Sequence, residues 1–136
     1  MKRSPLSCGI AAAAGRSLDG TVDLQGHRGA RGKRPENTIP AFVYCIEQGM
    51  TSIEIDTNVT QDNQLIVYHD TTVNGKICRS ENGEPAESVP IREMTVRELK
   101  RLDCGSAGNP KFPEQEPVPG TRLITCLLYT SPSPRD

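Results

Sequence analysis

Five side chains combine type and spacing in a way that suits chemistry: His27, Arg28, Glu54, Asp56 and His69. The chain has two histidines in all, and each closes a short run of β-branched and aliphatic residues. Imidazole titrates near neutral pH, so a pair of histidines can serve as general base and general acid in one reaction. Arg28 is wedged between His27 and Gly29, and a guanidinium binds phosphate oxygens through two parallel N–H bonds. Arg31, Lys33 and Arg34 follow closely and read as steering charge or ordinary surface. Glu54 and Asp56 are two apart, so on a strand they share one face, where two carboxylates without a neighbouring lysine repel and are costly to bury. A divalent cation removes that cost, and an all-oxygen pair favours a hard ion, magnesium or calcium. The competing reading is a solvent-facing edge strand carrying two ordinary acids.

The elements that must hold these residues follow from the apolar periodicity. "TVDLQGH" alternates and reads as a strand with His27 at its C-terminal lip. Thr38 is placed to cap a helix over 39–48, with Ile39, Phe42, Cys45 and Ile46 as its apolar stripe and Gly49 as its stop. "SIEIDTNV" reads as a second strand, with Ile53 and Ile55 on one face and Glu54 and Asp56 on the other. "QLIVYHD" reads as a third, with Leu65, Val67 and His69 on one side and the turn-forming "QDN" before it. Strand, helix, strand requires parallel pairing of the first two strands. The polar stretch 71–90 is expected to be a long excursion. "TVRELKRL" reads as a second helix, with Thr95 and Glu98 as a capping box and Val96, Leu99 and Leu102 on its buried side. The proline-rich stretch 105–120 suits a surface loop.

At 136 residues the chain has room for one ordinary domain. A net charge of -1 and 35% hydrophobic residues give no bulk signature of nucleic-acid binding or of an anionic membrane surface. No apolar run reaches the length of a membrane span. Five cysteines, an odd number with no C-x-x-C pair, indicate neither a disulfide framework nor a zinc ribbon. Residues 1–20 read as a tail or a weak export signal, with Lys2 and Arg3 ahead of "CGIAAAAG"; periplasmic, secreted and cytoplasmic locations all stay open. The Ser/Pro/Arg-rich stretch 125–136 breaks off where a third βα unit is due and reads as a non-native tail, which leaves 21–124 as the domain.

Taken together, "GHRG" at 26–29, "RPENT" at 34–38, "IEID" at 53–56, "TQD" at 60–62 and "HD" at 69–70 resemble the glycerophosphodiester phosphodiesterase family in order and spacing. A weaker likeness continues through "MTVRELKRLDCGS" and "VPGTRL" and ends near Ile124. The resemblance implies an α/β fold, the TIM (β/α)8 barrel of the phosphatidylinositol-phosphodiesterase-like type, with only its N-terminal half present and a small insertion after the strand bearing His69. It implies that Glu54 and Asp56 bind a divalent cation, Mg2+ or Ca2+, that His27 and His69 are the acid/base pair, and that Arg28 holds the substrate phosphate. Glu36 and Asn37 would shape the neighbouring loop. The implied reaction is hydrolysis of a small-molecule glycerophosphodiester to glycerol 3-phosphate and an alcohol, with no nucleic acid and no stable membrane insertion; the oligomeric state is left open. The family's third acidic metal ligand has no match here, so a catalytically inactive half-barrel is the alternative for the chain as written. A sphingomyelinase- or phospholipase D-like relative is a further alternative, disfavoured by the "RPENT" loop.

Overall fold

The computed structural model describes residues 15–16 and 22–126. The readings of 1–20 as a tail or weak export signal and of 125–136 as a non-native tail lie almost wholly outside them. A short antiparallel pair, β1 (Gly15–Arg16) and β2 (Val22–Asp23), precedes β3 (Gln25–His27). Helix α1 (Ile39–Glu47) then returns the chain to β4 (Ser52–Glu54), which pairs parallel with β3 in the register Gly26↔Ile53 and His27↔Glu54. The parallel unit is the one the periodicity requires.

"SIEIDTNV" is not one strand. It breaks at Ile55 and Asp56, and its second half, β5 (Thr57–Val59), forms an antiparallel hairpin with β6 (Leu65–Val67). The hairpin turn is closed by Thr60, whose amide donates to the Gln64 carbonyl, and by Asn63 at φ 54. The break costs little, because Asn37 replaces the missing ladder bond: the Asp56 amide donates to its Oδ1 at 3.3 Å.

The alternation in the strands survives as a division between two apolar clusters. Ile53 and Ile55 pack with Ala41, Phe42, Val67 and Ile124 against α1, which leaves Glu54 and Asp56 to the other side. Ile66 and Tyr68 belong to a larger cluster with Val73, Cys78, Ile91, Leu99 and Leu123. Residues 123–125 run antiparallel beside β6, with the Val67 amide donating to the Ile124 carbonyl at 2.8 Å.

Four sequence expectations are corrected. Thr38 stands at the N-cap, but its hydroxyl donates back to the Pro35 carbonyl instead of accepting from the helix. The buried face of α1 is Ala41, Phe42 and Cys45, while Ile39 and Ile46 are exposed, because β3 and its turn press on α1 at Ala41, Phe42 and Cys45. The second helix is one turn, α2 (Val96–Leu99); its capping box is present in both directions, with Glu98 N donating to Thr95 Oγ1 and Thr95 N donating to Glu98 Oε2. Cys78 and Cys104 form a disulfide. An odd count masked it, since the two cysteines stand 26 positions apart across largely irregular chain that carries no spacing signal.

Candidate active site

The "GHRG" segment is built by its two glycines. A Cβ on Gly26 would collide with the Cys45 sulfur, and one on Gly29 would lie 2.8 Å from both Ala41 and Phe42. Strand β3 and the following turn therefore press directly onto α1, and His27 and Arg28 are turned to the opposite side. Both Arg28 and Gly29 adopt left-handed backbone, with φ 53 and φ 74. For arginine that conformation is strained, and such strain persists only where surrounding bonds enforce it. Here they do. The Arg28 amide donates to Glu54 Oε2 at 2.8 Å, and the Arg28 carbonyl accepts from the Asn37 amide at 2.9 Å.

Four of the five sequence-predicted residues meet around this turn. Arg28 Nη1 donates to Glu36 Oε1 at 3.0 Å, and its Nε lies 3.3 Å from Asp56 Oδ2. The second contact is an ion pair without a well-aligned hydrogen bond, since that N–H finds no directed acceptor among the described residues. His27 Nε2 lies 3.8 Å from Glu54 Oε2, and His27 Nδ1 is buried without a partner among the described residues. Asn37 is fully buried, and its amide donates to Asp56 Oδ2 at 3.1 Å. Pro35, Glu36, Asn37 and Thr38 of "RPENT" thus each hold part of the turn that presents Arg28, Glu54 and Asp56.

His69 reaches the site from another direction. Its Nδ1 is 2.6 Å from Asp70 Oδ1, and Asp70 Oδ2 accepts from Asn74 Nδ2 at 3.0 Å. The Asn74 amide in turn donates to the Tyr68 hydroxyl at 2.9 Å, and burial pushes that hydroxyl up to about 12, so it stays a neutral anchor. Asn58 Nδ2 braces the same segment by donating to the Tyr68 and Asp70 carbonyls. Burial works against the Asp70 carboxylate, yet the bonds from His69 and Asn74, with the nearby charges of His69 and Arg28, outweigh it and hold the carboxyl below its ordinary value. An ionised Asp70 fixes the imidazole by Nδ1 and leaves Nε2 for other partners. His69 and Arg28 line one cavity of about 540 Å3, together with Arg31, Glu36, Asp70 and Lys111. Sequence reasoning passed over Tyr68, Asn58 and Asn74, because their work depends on contacts across a turn that no spacing announces.

The donor chemistry around Arg28 suits a hard cation. Three carboxylates, those of Glu36, Glu54 and Asp56, gather at one guanidinium and its amide. Glu54 Oε1 and Asp56 Oδ1 accept no hydrogen bond from the described residues. Glu36 is committed to Arg28, and among the described residues no group of three acidic, histidine or cysteine side chains is placed to hold an ion. Glu54 and Asp56 alone offer two carboxylates of the oxygen type a hard cation takes.

The chain matches the glycerophosphoryl diester phosphodiesterase family over residues 27–128. It is 41% identical over 86 residues to a glycerophosphodiester phosphodiesterase of Caldanaerobacter subterraneus, covering 63% of this chain and 32% of that one. Its fold is similar to the crystal structure of a glycerophosphodiester phosphodiesterase from Agrobacterium tumefaciens (TM-score 0.61, 28% identity, 77% of this chain and 39% of that one). It is also similar to an Oleispira antarctica phosphodiesterase in complex with the product sn-glycerol-3-phosphate (TM-score 0.59, 25% identity, 76% of this chain and 36% of that one). These neighbours are TIM-barrel enzymes, and the chain spans about a third of their length and of the curated relatives it matches. With His27, Arg28 and Gly29 of "GHRG" and the whole of "RPENT" and "IEID" inside the matched region, the chain belongs to the glycerophosphoryl diester phosphodiesterase family.

Proposed function

We propose that the protein carrying this chain hydrolyses glycerophosphodiesters to glycerol 3-phosphate and an alcohol, and that the described elements form the N-terminal part of its (β/α)8 barrel, of the phosphatidylinositol-phosphodiesterase-like type. The observation that carries the reading is the convergence of Glu36, Glu54 and Asp56 on the strained Arg28 turn, whose Arg28 and Glu36 line a cavity with His69. Arg28 would bind the substrate phosphate through the guanidinium donors that Glu36 and Asp56 do not occupy. Those two carboxylates set the plane and reach of the fork, and geometry of this kind supplies binding and orientation. Glu54 and Asp56 would hold a divalent cation, Mg2+ or Ca2+. When bound, that ion supplies Lewis-acid stabilisation of negative charge on a phosphoryl oxygen.

The two histidines would divide the proton transfers. Asp70 holds His69 by Nδ1, so His69 Nε2 is the nitrogen that would exchange a proton with substrate; His27 presents Nε2 on the Glu54 side. One would deprotonate the attacking oxygen and the other protonate the departing alcohol. The test is release of glycerol 3-phosphate from glycerophosphocholine by the full-length protein, with and without added Mg2+ or Ca2+. Metal-dependent release that His27→Ala abolishes is the expected result, and release indifferent to both would overturn the reading.

We further propose that residues 1–136 alone do not turn over. Two carboxylates without a third ligand among the described residues, and paired strands with open edges, support an incomplete site. Residues 125–136 would be the non-native tail. In the same assay the isolated chain should stay at background, and clear activity would sink this second reading.

A further inference from the structure

The cations around the site are not equally matched by acids. Lys33 pairs with Glu114 and Arg34 with Glu116, while Arg28 pairs with Glu36 and Asp56. Arg31, Lys76 and Lys111 make no ion pair among the described residues, and all three line the cavity that holds Arg28 and His69. Arg31 is the most constrained. Its guanidinium carbon lies 4.8 Å over the Phe112 ring, its carbonyl accepts from Gln115 Nε2, and its buried Nε has no hydrogen-bond partner among the described residues. A cation stacked and partly desolvated in this way is held for a ligand at little further entropic cost.

Charge counting then bears on the substrate. The cavity wall carries four cations, Arg28, Arg31, Lys76 and Lys111, against two carboxylates, Glu36 and Asp70. Glu36 is taken by Arg28, and Asp70 by His69 and Asn74. Arg28 is further matched by Asp56, so the surplus positive charge of this wall rests on Arg31, Lys76 and Lys111, whereas a glycerophosphodiester carries one negative charge and its glycerol none.

We propose that Arg31, Lys76 and Lys111 form a subsite for a second phosphate on the alcohol part of the substrate, so that the preferred diesters bear an anionic rather than a cationic alcohol. This rests on the proposed phosphodiesterase reading. Arg31 supplies the planar fork that matches a phosphate, and the two lysines at the rim supply unpaired charge that a cationic group such as choline would face unfavourably. The same arrangement predicts that the preference weakens as salt rises, because Lys76 and Lys111 are exposed.

The experiment is a set of equilibrium titrations of the full-length protein, with His69→Ala present to prevent turnover. The ligands are sn-glycerol 3-phosphate, glycerophosphocholine, glycerophosphoglycerol and bis(glycerophospho)glycerol, the last bearing the second phosphate. The expected order places bis(glycerophospho)glycerol roughly tenfold or more tighter than glycerophosphoglycerol, and glycerophosphocholine weakest, as expected for close charge pairs at a part-exposed site. Lys76→Gln with Lys111→Gln should narrow that ratio, as should Arg31→Gln. The lysine pair is exposed, so its effect is read in a folded protein. If glycerol 3-phosphate fails to bind, the phosphodiesterase reading falls and this proposal with it. If it binds while the three diesters bind alike, or the ratio survives both variants, only the second-phosphate subsite is overturned.

Discussion

The strand–helix–strand half, residues 22–59, and the irregular excursion, residues 71–123, solve the problem of burial in opposite ways. Every large apolar side chain that the described residues leave exposed lies between Val22 and Leu65, with Val22 62% and Ile46 65% exposed. The excursion leaves none of that kind. Its Val73, Cys78, Ile91, Leu99 and Leu123 close around Ile66 and Tyr68, and the Cys78–Cys104 bridge ties its two arms together. Regular elements need neighbours to cover their second face, whereas a long loop can wrap its own apolar side chains around one strand and hold them with a covalent tie. The catalytic candidates His27, Arg28, Glu54 and Asp56 sit on the half that is open, and His69 sits at the seam between the two.

That contrast predicts a separation between chemistry and stability, and the largest effects should be on turnover. In the full-length protein His69→Ala should lower the rate of glycerophosphodiester hydrolysis by about 100-fold or more, the scale of a lost general acid or base, with little change in melting temperature. A p-nitrophenyl diester, whose leaving group needs no proton, should regain part of that loss if His69 is the acid. Rescue in His27→Ala instead would reverse the assignment. A large fall in stability in either variant would remove the distinction between the two regions.

Stability should be most sensitive in the excursion. Replacing Cys78 and Cys104 together by serine releases a tie across 26 residues, and loop-closure entropy puts the cost at about 3.5 kcal/mol, or somewhat less if the unfolded chain is compact. Denaturant titration under oxidising and reducing conditions measures it. A midpoint that ignores both the substitution and the reductant would mean the apolar cluster alone carries the excursion.

What was legible in the sequence follows the same line. The parallel unit, the α1 helix, the opposed faces of Ile53 and Glu54 and the capping box of Thr95 and Glu98 all arise from contacts within a few residues or from simple alternation, and these the periodicity reports. The break at Asp56 did not show, because it depends on Asn37, 19 positions away, supplying its side chain to the strand. The excursion's core did not show either. Val73, Cys78, Ala86 and Ile91 follow no period, and only the fold brings them together. Linked motifs identified the candidate site residues, yet the motifs say nothing of Asn74, which holds His69 through Asp70, or of Tyr68, which anchors Asn74.

The glycines of "GHRG" test how tightly the open half is held. Gly26→Ala places a methyl against the Cys45 sulfur and should cost about 1–3 kcal/mol by overpacking. Pairing it with Cys45→Ala should recover most of the loss, since the two sites share one contact. Gly29→Ala should not be rescued so simply, because its φ of 74 and its contacts with Ala41 and Phe42 both oppose a side chain. Equal rescue of both would show that space alone, not backbone conformation, keeps these positions glycine.

The smallest effect is expected where the excursion is tied by charge. Asp103 accepts from the amides of Gly105, Ser106 and Gly120 at 2.9, 3.1 and 2.7 Å. Burial opposes its ionisation, but those three bonds outweigh it and hold the carboxyl below its ordinary value of 3.8. A depressed folded-state value means the carboxylate stabilises the fold fully above the unfolded value, and that contribution is lost as pH falls through the folded one. The loss therefore belongs below about pH 3.8. Asp103→Asn keeps one acceptor and removes the titration, so it should cost about 1 kcal/mol at neutral pH after allowance for solvent screening and flatten the acid limb of the stability curve. Thermal melts from pH 2.5 to 7 on both proteins decide it. Parallel acid limbs would show that Asp103 does not couple protonation to the excursion and that other carboxyls held low, Asp62 and Asp70 among them, carry the acid response.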